Sequence, residues 1–152
     1  MKRWMAGAAV SLALVGTPAA AAVVADCGDY GQIQNVVEPW ETSTRTYYAG
    51  RMRVVLIDTG GEPACCSSHL VVLYTDEPPD EPAYTACKLV SDQAGQGFAG
   101  IDFKGMKVSY DPKRGVLLTV RASRMKPDGS GTVPLTVKLR LKASPPSVAV
   151  ER

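Results

Sequence analysis

The sequence has little net charge, a single histidine, and no segment after residue 26 with the periodicity of an amphipathic helix. Lys2 and Arg3 account for two of the 17 basic residues, so residues 26–152 carry 15 basic and 15 acidic residues and no net charge. This balance argues against a strongly basic nucleic-acid-binding protein. Because no window of eleven or more residues shows a sustained 3.6-residue apolar period, the sequence also argues against a helical fold.

Catalytic motifs are also scarce. The chain has no GxSxG motif, and Ser67, Ser68 and His69 are neighbours that cannot face each other on a strand. Residues 95–100 match GxGxxG, but a dinucleotide site needs a helix directly after the motif, and residues 101–105 indicate a strand and a turn. We therefore expect no cofactor and a protein that is not an enzyme, with a hydrolase whose site is unrecognised as an alternative.

The N-terminus has the three-part organisation of a secretory signal peptide. Lys2 and Arg3 precede an apolar stretch over residues 4–15 that is too short to span a bilayer. Small residues allow cleavage after Ala22 or after Ala25, and the second site is preferred because Asp26 then begins the mature chain.

Export of a single domain follows from this organisation. We expect residues 1–25 to be removed and residues 26–152 to form one periplasmic or secreted domain. No stable membrane insertion is expected after cleavage. At about 127 residues, such a chain is long enough to bury a core.

Alternating apolar residues after residue 105 predict a three-stranded antiparallel meander. Its strands cover about residues 106–110, 116–125 and 133–142, separated by turns at Asp111–Gly115 and Pro127–Gly131. In the third strand, Val133, Leu135, Val137, Leu139 and Leu141 define an apolar face. Pro134 cannot donate a ladder hydrogen bond, so we expect the start of this strand to lie at an edge.

The N-terminal half is less regular but also rich in strand signals. Residues 45–58 indicate one long strand or a bent pair near Gly50, and further strands are expected at residues 69–75, 84–91, 98–103 and 147–151. About eight strands at short spacing indicate an all-β fold, either an antiparallel β-sandwich or a small, partly closed barrel.

Four cysteines follow the signal peptide: Cys27, Cys65, Cys66 and Cys87. An even number in an exported domain indicates two disulfides. We expect Cys27 and Cys87 each to pair with one of the two adjacent cysteines, because a bond between Cys65 and Cys66 would close a strained ring. The alternative is a metal site formed by Cys65, Cys66, His69 and Cys87, a donor set that zinc or copper(I) accepts. In the disulfide interpretation, His69 is a solvated or capping residue.

Opposite charges are concentrated in the two halves of the chain. Residues 26–102 hold 12 acidic and 4 basic residues, whereas residues 103–152 hold 3 acidic and 11 basic residues. Either the two halves lie side by side and neutralise each other, or the basic half forms a patch for an acidic partner.

Two charged surfaces and one aromatic set are candidate binding features. The first surface is the cationic face of the last meander strand, with Lys138, Arg140 and Lys142. The second is an acidic, proline-rich loop that contains Asp76, Glu77, Asp80 and Glu81. Four aromatic residues are expected to serve in packing first and in binding second: Trp40, Tyr47, Tyr48 and Tyr74.

Together these features predict an exported, non-catalytic binding module that engages a protein or cell-envelope ligand, as an inhibitor or immunity protein does. A periplasmic metal-binding protein is the alternative from a different class.

Overall fold

The computed structural model describes residues 21–60, 65–75, 84 and 86–151. Within these residues the chain forms two antiparallel sheets. The first sheet contains β1 (Val23–Asp26), β2 (Thr44–Tyr47), β3 (Met52–Asp58), β4 (Ser68–Tyr74) and β5 (Ala86–Ser91), in the order β1-β5-β4-β3-β2. The second contains β6 (Gly100–Asp111), β7 (Gly115–Met125), β8 (Thr132–Ala143) and β9 (Pro146–Glu151), in the order β6-β7-β8-β9. The fold is an all-β sandwich, which confirms the predicted class.

The helices of the described residues are short. Two 3₁₀ helices cover Gly28–Gly31 and Ile33–Asn35, and one α-helical turn, α1, covers Trp40–Ser43. None of the described helices is long and apolar enough to cross a membrane. We call residues 27–40 the covering segment, because side chains of this segment pack against the outer face of the first sheet.

The main core lies between the two sheets and is built by strict alternation along the strands. Successive side chains of a strand point to opposite faces, so every second residue of each central strand enters this core. The first sheet contributes Met52, Val54, Leu70, Val72 and Val90, and the second contributes Val116, Leu118, Val120, Val137, Leu139 and Leu141. The alternating pattern is thus a correct guide to the buried face of β7 and of β8 from Leu135 onwards, whereas Val108, Tyr110 and Val133 of the same predicted pattern are exposed.

The position of Pro134 agrees with the sequence prediction. Strand β9 pairs with β8 only from Lys138 to Ala143, so β8 has no partner on that side at Pro134. On its other side, Pro134 lies opposite Ser123 of β7. Proline is therefore placed where the missing N–H costs no ladder hydrogen bond.

Strand β6 joins two segments that the sequence indicates as separate strands. The register of β6 against β7 shifts between Asp102 and Lys107, so that one continuous strand is bent instead of interrupted. Gly105 lies inside this bulge, where an added Cβ would clash with the side chains of Asp102 and Arg121. Beyond the bulge, Tyr110 is 65% exposed on the edge of the sheet.

Residues 45–58 form the bent pair that was one of the two predicted forms. Strands β2 and β3 are joined by a turn in which Tyr48, Ala49 and Gly50 all have positive φ. This turn places the Tyr48 hydroxyl against the second sheet, where it donates to the carbonyl of Leu141 and accepts from the amide of Val116, both at 2.9 Å. One side chain of the first sheet is thus hydrogen-bonded to two strands of the second.

The predicted disulfide pattern is wrong. Cys27 pairs with Cys87, and Cys65 pairs with Cys66. The register that sets Asp26 opposite Lys88 brings the next residues, Cys27 and Cys87, opposite each other at the end of the β1–β5 ladder. Cys65 and Cys66 are then left to pair with each other, and Cys66 adopts a positive φ of 75°.

Replacing both Cys27 and Cys87 with alanine is expected to lower the free energy of unfolding by about 4 kcal/mol, because the bond closes a loop of 60 residues. Urea unfolding of the oxidised protein measures this loss. The matched control replaces Cys65 and Cys66, whose bond joins neighbouring residues and constrains the unfolded chain far less. Equal losses in the two double variants would contradict this assignment of roles.

Candidate ligand pocket

The first sheet has a second apolar face, on the side away from the main core. Alternation turns Val55, Ile57, Val71 and Leu89 to this outer face, where they are all buried. Val55 lies opposite Val71 and Val71 lies opposite Leu89, so these side chains form a continuous apolar surface across three strands. A sheet in a sandwich normally keeps one face in water, and this sheet does not.

The covering segment shields only part of this outer face. Cys27 is buried through its bond to Cys87, and Val36 forms an isolated bridge to Ile57 at the far end of the segment. The amide of Val37 also donates to the carbonyl of Leu56. The segment is therefore attached to the sheet at both ends, and an opening remains beside it.

This opening is a pocket of about 190 Å³. Its floor is aliphatic and consists of side chains of the two central strands: Val55, Ile57, Val71 and Leu73. Its walls come from the covering segment and from two residues on the other side: Gly31, Gln32, Val36, Trp40, Arg53 and Tyr84. An apolar concavity with few polar groups is the usual form of a ligand site.

Arg53 is the charged residue among the described residues that line the pocket. Its Nε is buried and makes no hydrogen bond to the described part of the chain, and its guanidinium carbon lies 5.8 Å from the centre of the Tyr84 ring. Tyr84 is held by donating its own hydroxyl proton to the carbonyl of Gly50 at 2.9 Å. A buried donor without a partner costs free energy. If the guanidinium turns its N–H groups towards the pocket, an acceptor bound there relieves that cost.

Trp40 forms the outer rim of the pocket. Its side chain is 36% exposed, and its indole N–H donates to Oε1 of Glu38 at 2.9 Å. The indole is thus held by its polar edge while its apolar surface remains available to a ligand. Of the four aromatic residues singled out in the sequence, Trp40 lines this pocket, whereas Tyr47, Tyr48 and Tyr74 pack against the main core.

The prediction that His69 is solvated or caps an element is wrong. His69 lies within β4 and is 2% exposed, because β4 is a central strand and its outer face is covered by Tyr30. Its Nδ1 is 2.9 Å from the hydroxyl oxygen of Ser91, which is 4% exposed. This burial lowers the pKa of His69, while the nearby carboxylate of Asp58 opposes the shift.

The geometry does not favour a nucleophile activated by His69 or the thiolate metal site. A nucleophile must be accessible, and the hydroxyl of Ser91, the partner of His69, is shut off from solvent. A thiolate metal site would need free sulfurs, and the cysteines of the proposed set are in disulfides. Among the described residues, no group of three or more His, Cys, Asp or Glu side chains is placed to hold a metal ion. The GxGxxG segment is followed by β6 and not by a helix.

The predicted cationic face exists but is smaller than the sequence suggested. Arg140 is only 8% exposed, because both carboxylate oxygens of Glu151 accept hydrogen bonds from its guanidinium and the carbonyl of Gly115 accepts a third. This contact lowers the pKa of Glu151 to about 2. Lys138 and Lys142 remain exposed on this face. The predicted acidic surface of Asp76, Glu77, Asp80 and Glu81 lies outside the described residues.

No protein-family model, curated protein or solved structure matches this chain. Function is therefore inferred from the site itself. The sequence carries one signal for this site that the motifs considered above do not include. Arg53 stands at an outer-face position of β3, in line with Val55 and Ile57, where a lone charge among buried apolar residues is unusual.

Because His69 is the chain's single histidine, its burial predicts a simple pH dependence of stability. The unfolded residue titrates near pH 6.5, and the folded residue only at lower pH. The unfolded chain therefore binds a proton first, and the free energy of unfolding falls as the pH is lowered below about 6.5. Urea unfolding between pH 8 and pH 5 measures this slope.

The matched variant for this test is His69→Asn, whose amide can replace Nδ1 as the partner of Ser91 but does not titrate. It should remove the slope above pH 5, because the lowered pKa values of Asp58 and Asp102 confine their effects to more acidic solution. An unchanged slope in this variant would show that another group is responsible.

Proposed function

We propose that this protein is an exported, non-catalytic binding module whose pocket receives an apolar side chain of a protein ligand, with a neighbouring carboxylate on Arg53. The observation that carries the proposal is the buried Nε of Arg53 at the edge of an apolar pocket, which has no hydrogen-bond partner among the residues that the structure describes. Export is supported by the two disulfides of the described residues, since such bonds persist in oxidising compartments.

The volume of the pocket limits the size of the apolar ligand group that it can hold. A cavity of about 150 Å³ accommodates one benzene ring, and this pocket has about 190 Å³. It therefore fits one phenylalanine or leucine side chain, and it is too small for a drug-sized molecule, whose sites usually exceed about 300 Å³. A single side chain that enters a pocket is the usual anchor of a protein–protein contact.

The positive charge of Arg53 determines which polar group of a ligand the pocket can bind. A guanidinium prefers carboxylates, because its planar N–H groups match the two oxygens. The cation is flanked by the Tyr84 ring and an aliphatic floor, so a carboxylate bound there would be partly desolvated and its hydrogen bonds strengthened. The shortest peptide with both features is one that ends in an apolar residue with a free C-terminal carboxylate.

The test is an NMR titration of the mature protein with the N-acetylated tripeptide Ala-Ala-Phe. Trp4 belongs to the expected signal peptide, so Trp40 gives the single indole N–H signal of the mature chain. We expect saturable shifts of this signal and of the Gly31 amide. The C-terminal amide of the same peptide should bind at least about tenfold more weakly, because a hydrogen bond to a charged group contributes about 1.5–3 kcal/mol.

Two variants locate the site. Arg53→Gln should weaken binding of the free acid at least about tenfold and leave binding of the amide nearly unchanged. The control replaces Lys138 and Lys142 with glutamine, which removes two exposed charges of the other sheet. If the control weakens binding and Arg53→Gln does not, the cationic face and not the pocket is the ligand surface.

A further inference from the structure

Strand β1 begins directly after one of the two sites at which the signal peptide can be cleaved. Its first residue is Val23, and the small residues Ala20 and Ala22 precede the bond at which the strand starts. The other site, after Ala25, lies inside the strand. The two sites therefore leave mature proteins that differ in three of the four residues of this edge strand.

All of β1 is paired in the folded protein. Val23, Val24, Ala25 and Asp26 lie opposite Ser91, Val90, Leu89 and Lys88 of β5, respectively. Val24 also packs against the main core, opposite the fully buried Val90. Asp26 adds an ion pair with Lys88 at 2.6 Å. Strand β1 is therefore a fully paired edge strand of the first sheet.

Cleavage after Ala25 would remove three of the four residues of this strand. The backbone groups of Leu89, Val90 and Ser91 that pair with β1 would then form an open sheet edge, and Val24 would be lost from the core. The disulfide of Cys27 would hold a single preceding residue. Cleavage after Ala22 keeps the ladder whole and places the disulfide at its end.

We propose that the mature protein begins at Val23, through cleavage by signal peptidase after Ala22. This inference depends on export, which belongs to the proposed function, and not on the pocket. Residues with small side chains at positions −3 and −1 are what this class of protease requires, and Ala20 and Ala22 supply them.

The experiment is expression of the full chain in a bacterium, followed by purification from the periplasmic fraction, intact-mass measurement and N-terminal sequencing. A chain that begins at Val23 supports the inference, and one that begins at Asp26 overturns it. A chain that retains residues 1–22 overturns it as well, whereas recovery of the protein only in the cytoplasmic fraction refutes export.

A matched pair of variants tests the same point independently of the natural yield. Ala25→Lys blocks the second site, falls on an exposed position of β1 and should leave the mature N-terminus at Val23. Ala22→Lys should instead make the uncleaved precursor accumulate. The opposite pattern would place the cleavage after Ala25. A protein that begins at Val23 and binds no peptide would refute the pocket proposal alone.

Discussion

The arrangement of layers in this fold follows from one constraint: both faces of the central strand β4 are apolar and must be covered. Strand β4 turns Leu70 and Val72 towards the second sheet and His69 and Val71 away from it, and all four are buried. The second sheet covers the inner face, as in any sandwich. Within the described part of the chain, the covering segment lies over the outer face and is attached by the bond from Cys27 to Cys87 and by the bridge at Val36. The pocket is the part of that face that the segment does not reach.

The uneven charge of the sequence is neutralised in part by contacts between its two halves. Arg124 of β7 contacts Asp92, which is 1% exposed, and Arg121 pairs with Asp102 across the bulge of β6. Both contacts join the acidic half of the sequence to the basic half. Others lie within one half, such as the pair of Arg140 and Glu151. Both interpretations of the charge pattern thus hold in part, since some charges meet across the halves while Lys138 and Lys142 stay exposed.

Sequence alone was a good guide where each residue's environment is set by its nearest neighbours along a strand. Alternation placed Val137, Leu139 and Leu141 in the core, and the peptide geometry of Pro134 placed it beside an unpaired edge. The same reasoning failed for β1, because Val23–Asp26 resembles the end of a signal peptide as much as a strand. It failed for the disulfides because the partner of Cys27 depends on register between strands 60 residues apart.

The candidate site was the least predictable part, for the same reason. Its floor, rim and charge come from Val71, Trp40 and Arg53, which meet only after the covering segment folds back over three paired strands. The spacing of these three residues along the sequence does not predict that they lie in one pocket. What the sequence does carry is the misplaced charge of Arg53 in an apolar strand, which becomes informative once the face of each residue is known.

The hydroxyl of Tyr48 couples the two layers mechanically. It bonds to the Val116 amide and the Leu141 carbonyl, and the tyrosine itself belongs to the turn that joins β2 to β3. Neither sheet can slide or separate at this end without losing both bonds together. At this corner the two sheets are therefore joined by hydrogen bonds as well as by the apolar core that they share.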